Sequence, residues 1–383
     1  MTKTQAAQTS SRWRIPVAAA LAIALLITGC SATANARGKP SDRWGAFDAY
    51  LKQSGFSGTV LVAEDGRPLL ERGYGAANRS RGIPNTARTR FCIASMGKMF
   101  TAVAIAQLVQ QGKLSFADPI GKYLRGFRGD IAEKVTIAEL LTHTSGLGDI
   151  ALGTAAPART LAEQLARIVN EPLQFEPGSR FSYSNDGFIV LGAIIERVAG
   201  VSYADYVRQH VFEPAGMTDT DVRVYRPAEI PRMAHGYLLG NDGQLHDNAE
   251  MEQIGNPSGG AYSTVGDLLK FAQALTRHQL LSPALTDTIV TGKVDVHRPG
   301  GPPVDKYGYG FADQTINGVR IVGHNGGTPG YEGQLDIYLD SGYLVAILAN
   351  QDRVLAPAIR TSEDLLTEQA ASASPGTERS SPR

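Results

Sequence analysis

Ser95 and Lys98 stand three residues apart in the run Phe91-Cys92-Ile93-Ala94-Ser95-Met96-Gly97-Lys98-Met99-Phe100, where a strand-like apolar stretch gives way to a helical pattern. A helix brings residues i and i+3 onto one face, so the Lys98 amine can lie beside the Ser95 hydroxyl and take its proton. The hydroxyl becomes a candidate nucleophile. A Ser-x-x-Lys by itself arises about once by chance in a chain of this length, so its context matters. Two further segments supply context: Tyr183-Ser184-Asn185, turn-like after Glu176-Pro177-Gly178, and His324-Asn325-Gly326-Gly327, directly after a strand-like stretch at 320–322. A histidine at a strand end before paired glycines has reason to face a cleft. The competing roles are structural: Ser95 as a helix N-cap, Lys98 as a solvated helix residue, Tyr183 as a core ring with its hydroxyl satisfied locally.

These segments need a scaffold to bring them together. Residues 58–63 and 68–75 are β-type runs around Glu64-Asp65-Gly66-Arg67, and Asp-Gly between such runs signals a hairpin. After Ser95, apolar residues Met99, Ala102, Val103, Ala106, Leu108 and Val109 continue a helix to a stop at Gly112. Helical patterns follow at 137–141, 161–169, 187–198, 203–211 and 265–275. The last third returns to strands at 320–322, 334–339 and 343–349, the latter two joined by Asp340-Ser341-Gly342, and ends in a helical pattern at 356–367. Strands at both ends around a helical middle predict an α+β fold. It has one antiparallel sheet built from both chain ends and flanked by helices, a mainly helical inserted subdomain, and a crevice between them.

The chain has 383 residues, 43 % of them hydrophobic, enough for a substantial core. Lys+Arg and Asp+Glu balance at 37 each, so no basic excess argues for nucleic acid, and small molecules are the expected partners. None of the seven histidines falls in a His-Glu-x-x-His arrangement, and no phosphate-cradling glycine loop or Gly-x-Ser-x-Gly elbow is present. No metal and no cofactor are expected.

Lys3, Arg12 and Arg14 precede an apolar run at 15–27 that ends at Thr28-Gly29-Cys30. This pattern reads as a secretory signal over residues 1–29, too short for a membrane span of about 20 apolar residues. Ile27-Thr28-Gly29-Cys30 resembles the lipobox of bacterial lipoproteins, which implies lipidation at Cys30 and attachment to a membrane; an ordinary cleaved signal is the alternative. Ser31 resembles an outer-membrane sorting cue, if the cell has two membranes. Residues 30–42 read as a tether, 43–369 as the folded domain and 370–383 as a disordered tail rich in Ser, Pro and charge. The remaining cysteine, Cys92, has no disulfide partner and reads as a small buried apolar residue.

At the three motifs the chain resembles the serine β-lactamase and penicillin-binding-protein superfamily, in the class C-like branch that includes D-Ala-D-Ala carboxypeptidases, D-aminopeptidases and esterases. Similarity extends to Gly112-Lys113-Leu114 with Asp118-Pro119, to Leu140-Leu141-Thr142-His143-Thr144-Ser145-Gly146-Leu147, to Ser258-Gly259-Gly260 and to Tyr307-Gly308-Tyr309-Gly310. It covers nearly the whole folded region. The resemblance implies a β-lactamase/transpeptidase-like fold in which Ser95 forms an acyl-enzyme while Lys98 and Tyr183 share the proton transfers. It further implies that Asn185 orients Lys98 or the substrate, and that the backbone N–H groups of Ser95 and Gly327 form the oxyanion hole. Lys98 can serve as a base only where burial and nearby positive potential, such as a helix N-terminus, hold its amine neutral.

Where penicillin-recognising members carry Lys-Thr-Gly, this chain has His324-Asn325-Gly326. A permanent ammonium suits a substrate carboxylate, whereas a histidine of ordinary pKa, about 6.5, is mostly neutral at pH 7. The implied activity is that of an exported serine hydrolase on small ester or amide (peptide) substrates, including cell-wall-derived ones. Asn185, His324, Asn325 and Gly326 are the expected substrate-binding residues. A D-Ala-D-Ala carboxypeptidase or weak β-lactamase is one alternative. A non-catalytic binding or scaffold protein of the cell envelope is the other.

Overall fold

The computed structural model describes residues 41–150, 158–296 and 305–373. The expected signal peptide at 1–29, the lipidation site Cys30, most of the tether and the tail from residue 374 lie outside them. Asp65 and Gly66 both take positive φ, +50° and +82°, the geometry of a tight hairpin turn between β1 (Gly58–Glu64) and β2 (Arg67–Tyr74). The other strands of the main sheet come from the C-terminal part: β3 (Val294–Asp295), β4 (Lys306–Tyr307), β5 (Ala312–Ile316), β6 (Val319–Thr328), β7 (Tyr331–Ile337) and β8 (Tyr343–Ala349). Their order across the sheet is β3-β4-β5-β6-β7-β8-β1-β2, antiparallel throughout. The two ends of the chain meet where β1 pairs with β8, Gly58 opposite Ala349.

Both faces of the central strands are covered. Leu61, Ala63, Ala346 and Leu348 face one core, with the helices of the middle region. Val60, Val62, Val345 and Ile347 face a second core with Trp44, Phe47 and Leu51 of α1 (Ser41–Gln53), and with Leu355 and Ala358 of the C-terminal helix. Burying each of the leucine, valine, isoleucine and phenylalanine side chains among them is worth about 1.5–3 kcal/mol. Double-sided burial explains why β1 and β8 read as unbroken apolar runs rather than alternating ones.

Between β2 and β3 lie α2 (Lys98–Gln110), α3 (Ile137–Leu141), α4 (Leu161–Ile168), α5 (Asn185–Ala199), α6 (Tyr203–Val207), α7 (Val265–Thr276) and α8 (Pro283–Val290). The C-terminal helix, α9, spans Leu355–Ala373. Capping boxes, Thr136 with Glu139 and Thr160 with Glu163, start α3 and α4. Ser184 caps α5, which stops at Gly200 in the left-handed conformation (φ +74°). α2 is buried from Lys98 to Leu108, the signature of a helix enclosed on every side.

The expected α+β architecture is the observed one, with local differences. The helix expected at 203–211 keeps α geometry only to Val207 and then widens, so that the Glu213 N–H bonds the Arg208 carbonyl. α1 begins at Ser41, inside the expected tether, and α9 runs to Ala373, past the expected limit at 369. The largest difference is in β6, which continues through His324-Asn325-Gly326-Gly327 instead of ending at Val322.

Candidate active site

Ser95 lies in a single tight turn, Ala94–Gly97, that leads into α2. Ala94 enters the turn at φ +45°, a left-handed conformation that costs a residue with a Cβ about 1–3 kcal/mol and therefore needs support. Backbone bonds from Ile93 N–H to Ala261 O (2.9 Å) and from Met96 N–H to Ile93 O (3.1 Å) supply part of it. Glycines supply the room. Gly326 of β6 pairs with Gly333 of β7, and the turn rests against them. A Cβ on Gly326 would sit 2.2 Å from Ile93 O, and one on Gly333 would sit 2.7 Å from Met96 Sδ. On another side, a Cβ on Gly259 would lie 3.2 Å from the Ser95 nitrogen.

Lys98 is fully buried, and its Nζ has three neighbours: Ser95 Oγ at 3.2 Å, Asn185 Oδ1 at 2.7 Å and Ser258 O at 2.6 Å. The last two can only accept. A neutral amine would donate its two hydrogens to them and turn its lone pair toward the Ser95 hydroxyl. The Asn185 amide is held the right way round because its Nδ2 donates to Asp149 Oδ2 (3.2 Å) and its backbone N–H to Asp149 Oδ1 (3.3 Å). Burial of the ammonium pushes the Lys98 pKa down to about 7, against the opposing pull of the Asp149 charge. Burial, not a neighbouring cation, does this work. The Tyr183 ring centroid lies 4.8 Å from Nζ and that of Phe188 at 5.3 Å. Tyr183 in turn stacks on His143 (4.3 Å), whose Nδ1 accepts the Ser184 N–H at 3.1 Å.

On the sheet side, Ser95, Asn185, Ser258, Gly259, Gly327 and Thr328 line one cleft of about 270 Å³. His324 points to the same face of β6 as Gly326 but is 2 % exposed, and both ring nitrogens bond within the protein. Nδ1 donates to the Asn325 carbonyl, and Nε2 meets the Tyr307 hydroxyl at 2.8 Å. Burial holds Tyr307 protonated by pushing its pKa well above the ordinary value. His324 is thereby a buried ring locked to a phenol rather than a donor presented to the cleft.

Asn325 was expected to contact substrate, and the strand places it elsewhere. Side chains alternate along β6: Val322 faces the helical core and Ile321 the α1/α9 core. Asn325 follows Ile321 and borders a separate cavity with Asp336, Glu363 and Ile359 on the α9 side. The sequence motifs did not single out Asp149 or Gly333. Asp149 directly follows the noted 140–147 landmark by two residues, but nothing local marks its contact with Asn185. The Ser258 carbonyl and Tyr307 fall inside noted landmarks without any cue to their bonds.

A hydroxyl beside a desolvated amine, at the floor of a cleft edged by a glycine strand, is equipped for acyl transfer. A sequence model of the family described as Beta-lactamase matches residues 45–367. The chain belongs to the beta-lactamase family of serine hydrolases. Within that family it is 32 % identical over 329 residues to Penicillin-binding protein 4* of Bacillus subtilis (strain 168), covering 80 % of this chain and 70 % of that protein. It is 28 % identical over 307 residues to the Teichoic acid D-alanine hydrolase of Staphylococcus aureus, covering 79 % of this chain and 72 % of the relative. The crystal structure of a penicillin binding protein from Bacillus halodurans matches with a TM-score of 0.74 at 35 % identity, over 83 % of this chain and 98 % of that one. The large antiparallel sheet flanked by helices is the family's fold.

Proposed function

We propose that the protein is an exported hydrolase that cleaves small esters or amides through an acyl-enzyme on Ser95. Lys98, as the neutral amine, takes the Ser95 proton while Oγ attacks the substrate carbonyl. The N–H groups of Ser95 and Gly327 receive the oxyanion, each such donor being worth about 2.7–4 kcal/mol of transition-state stabilisation. Lys98 and Tyr183 return the proton to the leaving group and then draw one from the water that releases the acyl group. Asn185 orients the amine. Gly326 serves by leaving room for the Ser95 turn, and Tyr307, bonded to His324, packs against His143 (4.8 Å), the ring that stacks on Tyr183.

The observation that carries this reading is the Lys98 Nζ, buried, 3.2 Å from Ser95 Oγ and with its other contacts filled by acceptors. His324 supports a substrate class: a buried ring with both nitrogens engaged presents no lysine-like ammonium to a carboxylate, so uncharged or amine-bearing acyl groups are favoured. D-alanine carried on teichoic acid, the substrate in one relative's name, is of this kind. The signal-like N-terminus and Cys30 support export and lipid anchoring at the cell envelope, where such substrates would be met. A second reading, a D-Ala-D-Ala carboxypeptidase or weak β-lactamase, draws on the penicillin-binding relatives.

A fluorophosphonate probe tests the nucleophile: it should label the wild type and spare Ser95→Ala, and equal labelling of both discards Ser95. Turnover of p-nitrophenyl esters without acylation by fluorescent penicillin supports the first reading, and the reverse outcome supports the second.

A further inference from the structure

Three consecutive residues on one segment meet three consecutive residues at the start of α5. Ser184 Oγ donates to the Gly148 carbonyl (2.6 Å), Asn185 donates through its backbone and side-chain nitrogens to the two Asp149 oxygens, and Ile150 N–H donates to Asp186 Oδ2 (2.9 Å). Ser184 and Asp186 are buried, so the outer rungs are fixed, and Asp149 forms the middle rung directly behind the amide that touches Lys98. We infer that Asp149 is a positioning residue for acyl transfer: its carboxylate clamps the Asn185 carboxamide so that Oδ1 faces Lys98 Nζ and the amine's lone pair faces Ser95.

The geometry requires a carboxylate. An amide can be flipped, and in the flipped state Asn185 would point an NH₂ at Lys98 and compete for its lone pair. Both Asp149 oxygens accept, one from each Asn185 nitrogen, and only the unflipped amide satisfies both bonds. Neutral side chains of similar size, such as asparagine, offer one acceptor and one donor and leave the orientation undecided. Asp149 also acts through charge. Among the described residues, the groups facing the Lys98 amine are Ser95 from its own turn, the Ser258 carbonyl, Asn185, the Tyr183 ring, the Phe188 ring and, one contact further, the Asp149 carboxylate. Asp149 is the anion in that set, and it favours the protonated amine.

The inference rests on the Ser95 and Lys98 reading, and the test separates the two. Fluorophosphonate labelling rates and p-nitrophenyl acetate kcat/KM are measured from pH 5 to 9 for the wild type, Asp149→Asn, Asp149→Glu and Ser95→Ala, with thermal melts of each. Asp149→Asn should lower the plateau about tenfold through loss of the oriented amide, while its acid limb moves to lower pH because the charge that held the amine protonated is gone. Asp149→Glu, keeping the charge on a longer arm, should keep the wild-type limb. A merely structural role would lower activity in proportion to folded protein and leave the limb in place. An unmoved limb or an unchanged plateau in folded Asp149→Asn overturns the inference. Should that variant fail to fold, a shifted limb in Asp149→Glu overturns it equally. Wild-type activity in Ser95→Ala would instead discard the nucleophile and leave Asp149 without a reaction to serve.

Discussion

Replacing Gly326 by alanine puts the packing of the Ser95 turn to a quantitative test. The added Cβ would lie 2.2 Å from Ile93 O, 3.1 Å from Ile93 C and 3.2 Å from Met96 Cγ. Carbon and carbonyl oxygen rest at about 3.3–3.6 Å in strands, so the turn must recede from β6 by about 1 Å. The atom in the way is backbone, and it is the acceptor of the Met96 N–H bond that closes the turn, so rotating a side chain offers no relief. Overpacking of this kind costs about 1–3 kcal/mol, and displacing a reacting atom by about 1 Å can cost about a hundredfold in rate. Gly327→Ala is the internal control, because a Cβ there meets nothing within 4 Å, and the N–H assigned to the oxyanion is retained. Thermal melts and fluorophosphonate labelling of both variants check the reasoning. Gly326→Ala should melt several degrees lower and label much more slowly, with Gly327→Ala melting as the wild type. Wild-type melting and labelling in Gly326→Ala, or an equal loss of stability in Gly327→Ala, would refute it.

Three other outcomes are expected. With the Lys98 pKa near 7, kcat/KM for a neutral ester should rise as pH rises through 7 and the amine loses its proton; Lys98→Met should erase that limb and lower activity by about 10²–10⁴-fold, and a flat wild-type profile from pH 5 to 9 would contradict the assignment. Tyr183→Phe keeps the ring against Lys98 and His143 but removes the hydroxyl, so the variant should still be acylated by fluorophosphonate while steady-state ester turnover collapses; unchanged turnover removes Tyr183 from the proton path. Burial raises the Asp336 pKa to about 7, with the Gln334 bond opposing and the Glu363 charge adding, above an unfolded value of about 3.9. The folded protein therefore holds this proton more tightly, and the resulting stability is full below about pH 4 and lost as pH rises toward 7. Asp336→Asn should flatten the decline in urea-unfolding free energy over that window, and parallel curves for variant and wild type would exclude Asp336 as its source.

What was legible in the sequence came from local signals with one meaning. Asp65-Gly66 demanded a tight hairpin, and Asp340-Ser341-Gly342 bounded β8, whose limits match the expectation. Ser95 and Lys98 were legible because three-residue spacing on a turn is itself a contact. The short strands β3 and β4 at one end of the sheet were not, since two residues each are too few to show an alternation. Nor was Asp149, whose bond to Asn185 spans 36 positions.

The reading of β6 shows how one boundary decides a site. His324-Asn325-Gly326-Gly327 looks like the end of a strand because glycines usually punctuate. Here Gly326 stays in the ladder, opposite Gly333, because the Ser95 turn needs the space a side chain would fill. With the strand carried to Thr328, period-two alternation alone assigns Val322, His324 and Gly326 to the nucleophile's face, and Ile321, Asn325 and Gly327 to the other. Asn325 then drops out of substrate contact, while Gly327 can contribute through its backbone. The same alternation brings His324 against Tyr307, where a hydrogen-bonded ring pair takes the place that a lysine would hold in the Lys-Thr-Gly pattern. The loss of that cation is thus built into the core behind the cleft. Restoring carboxylate recognition with His324→Lys alone would bury an ammonium beside the Tyr307 phenol at a position that is 2 % exposed, so the single change should lower Tm without creating penicillin acylation.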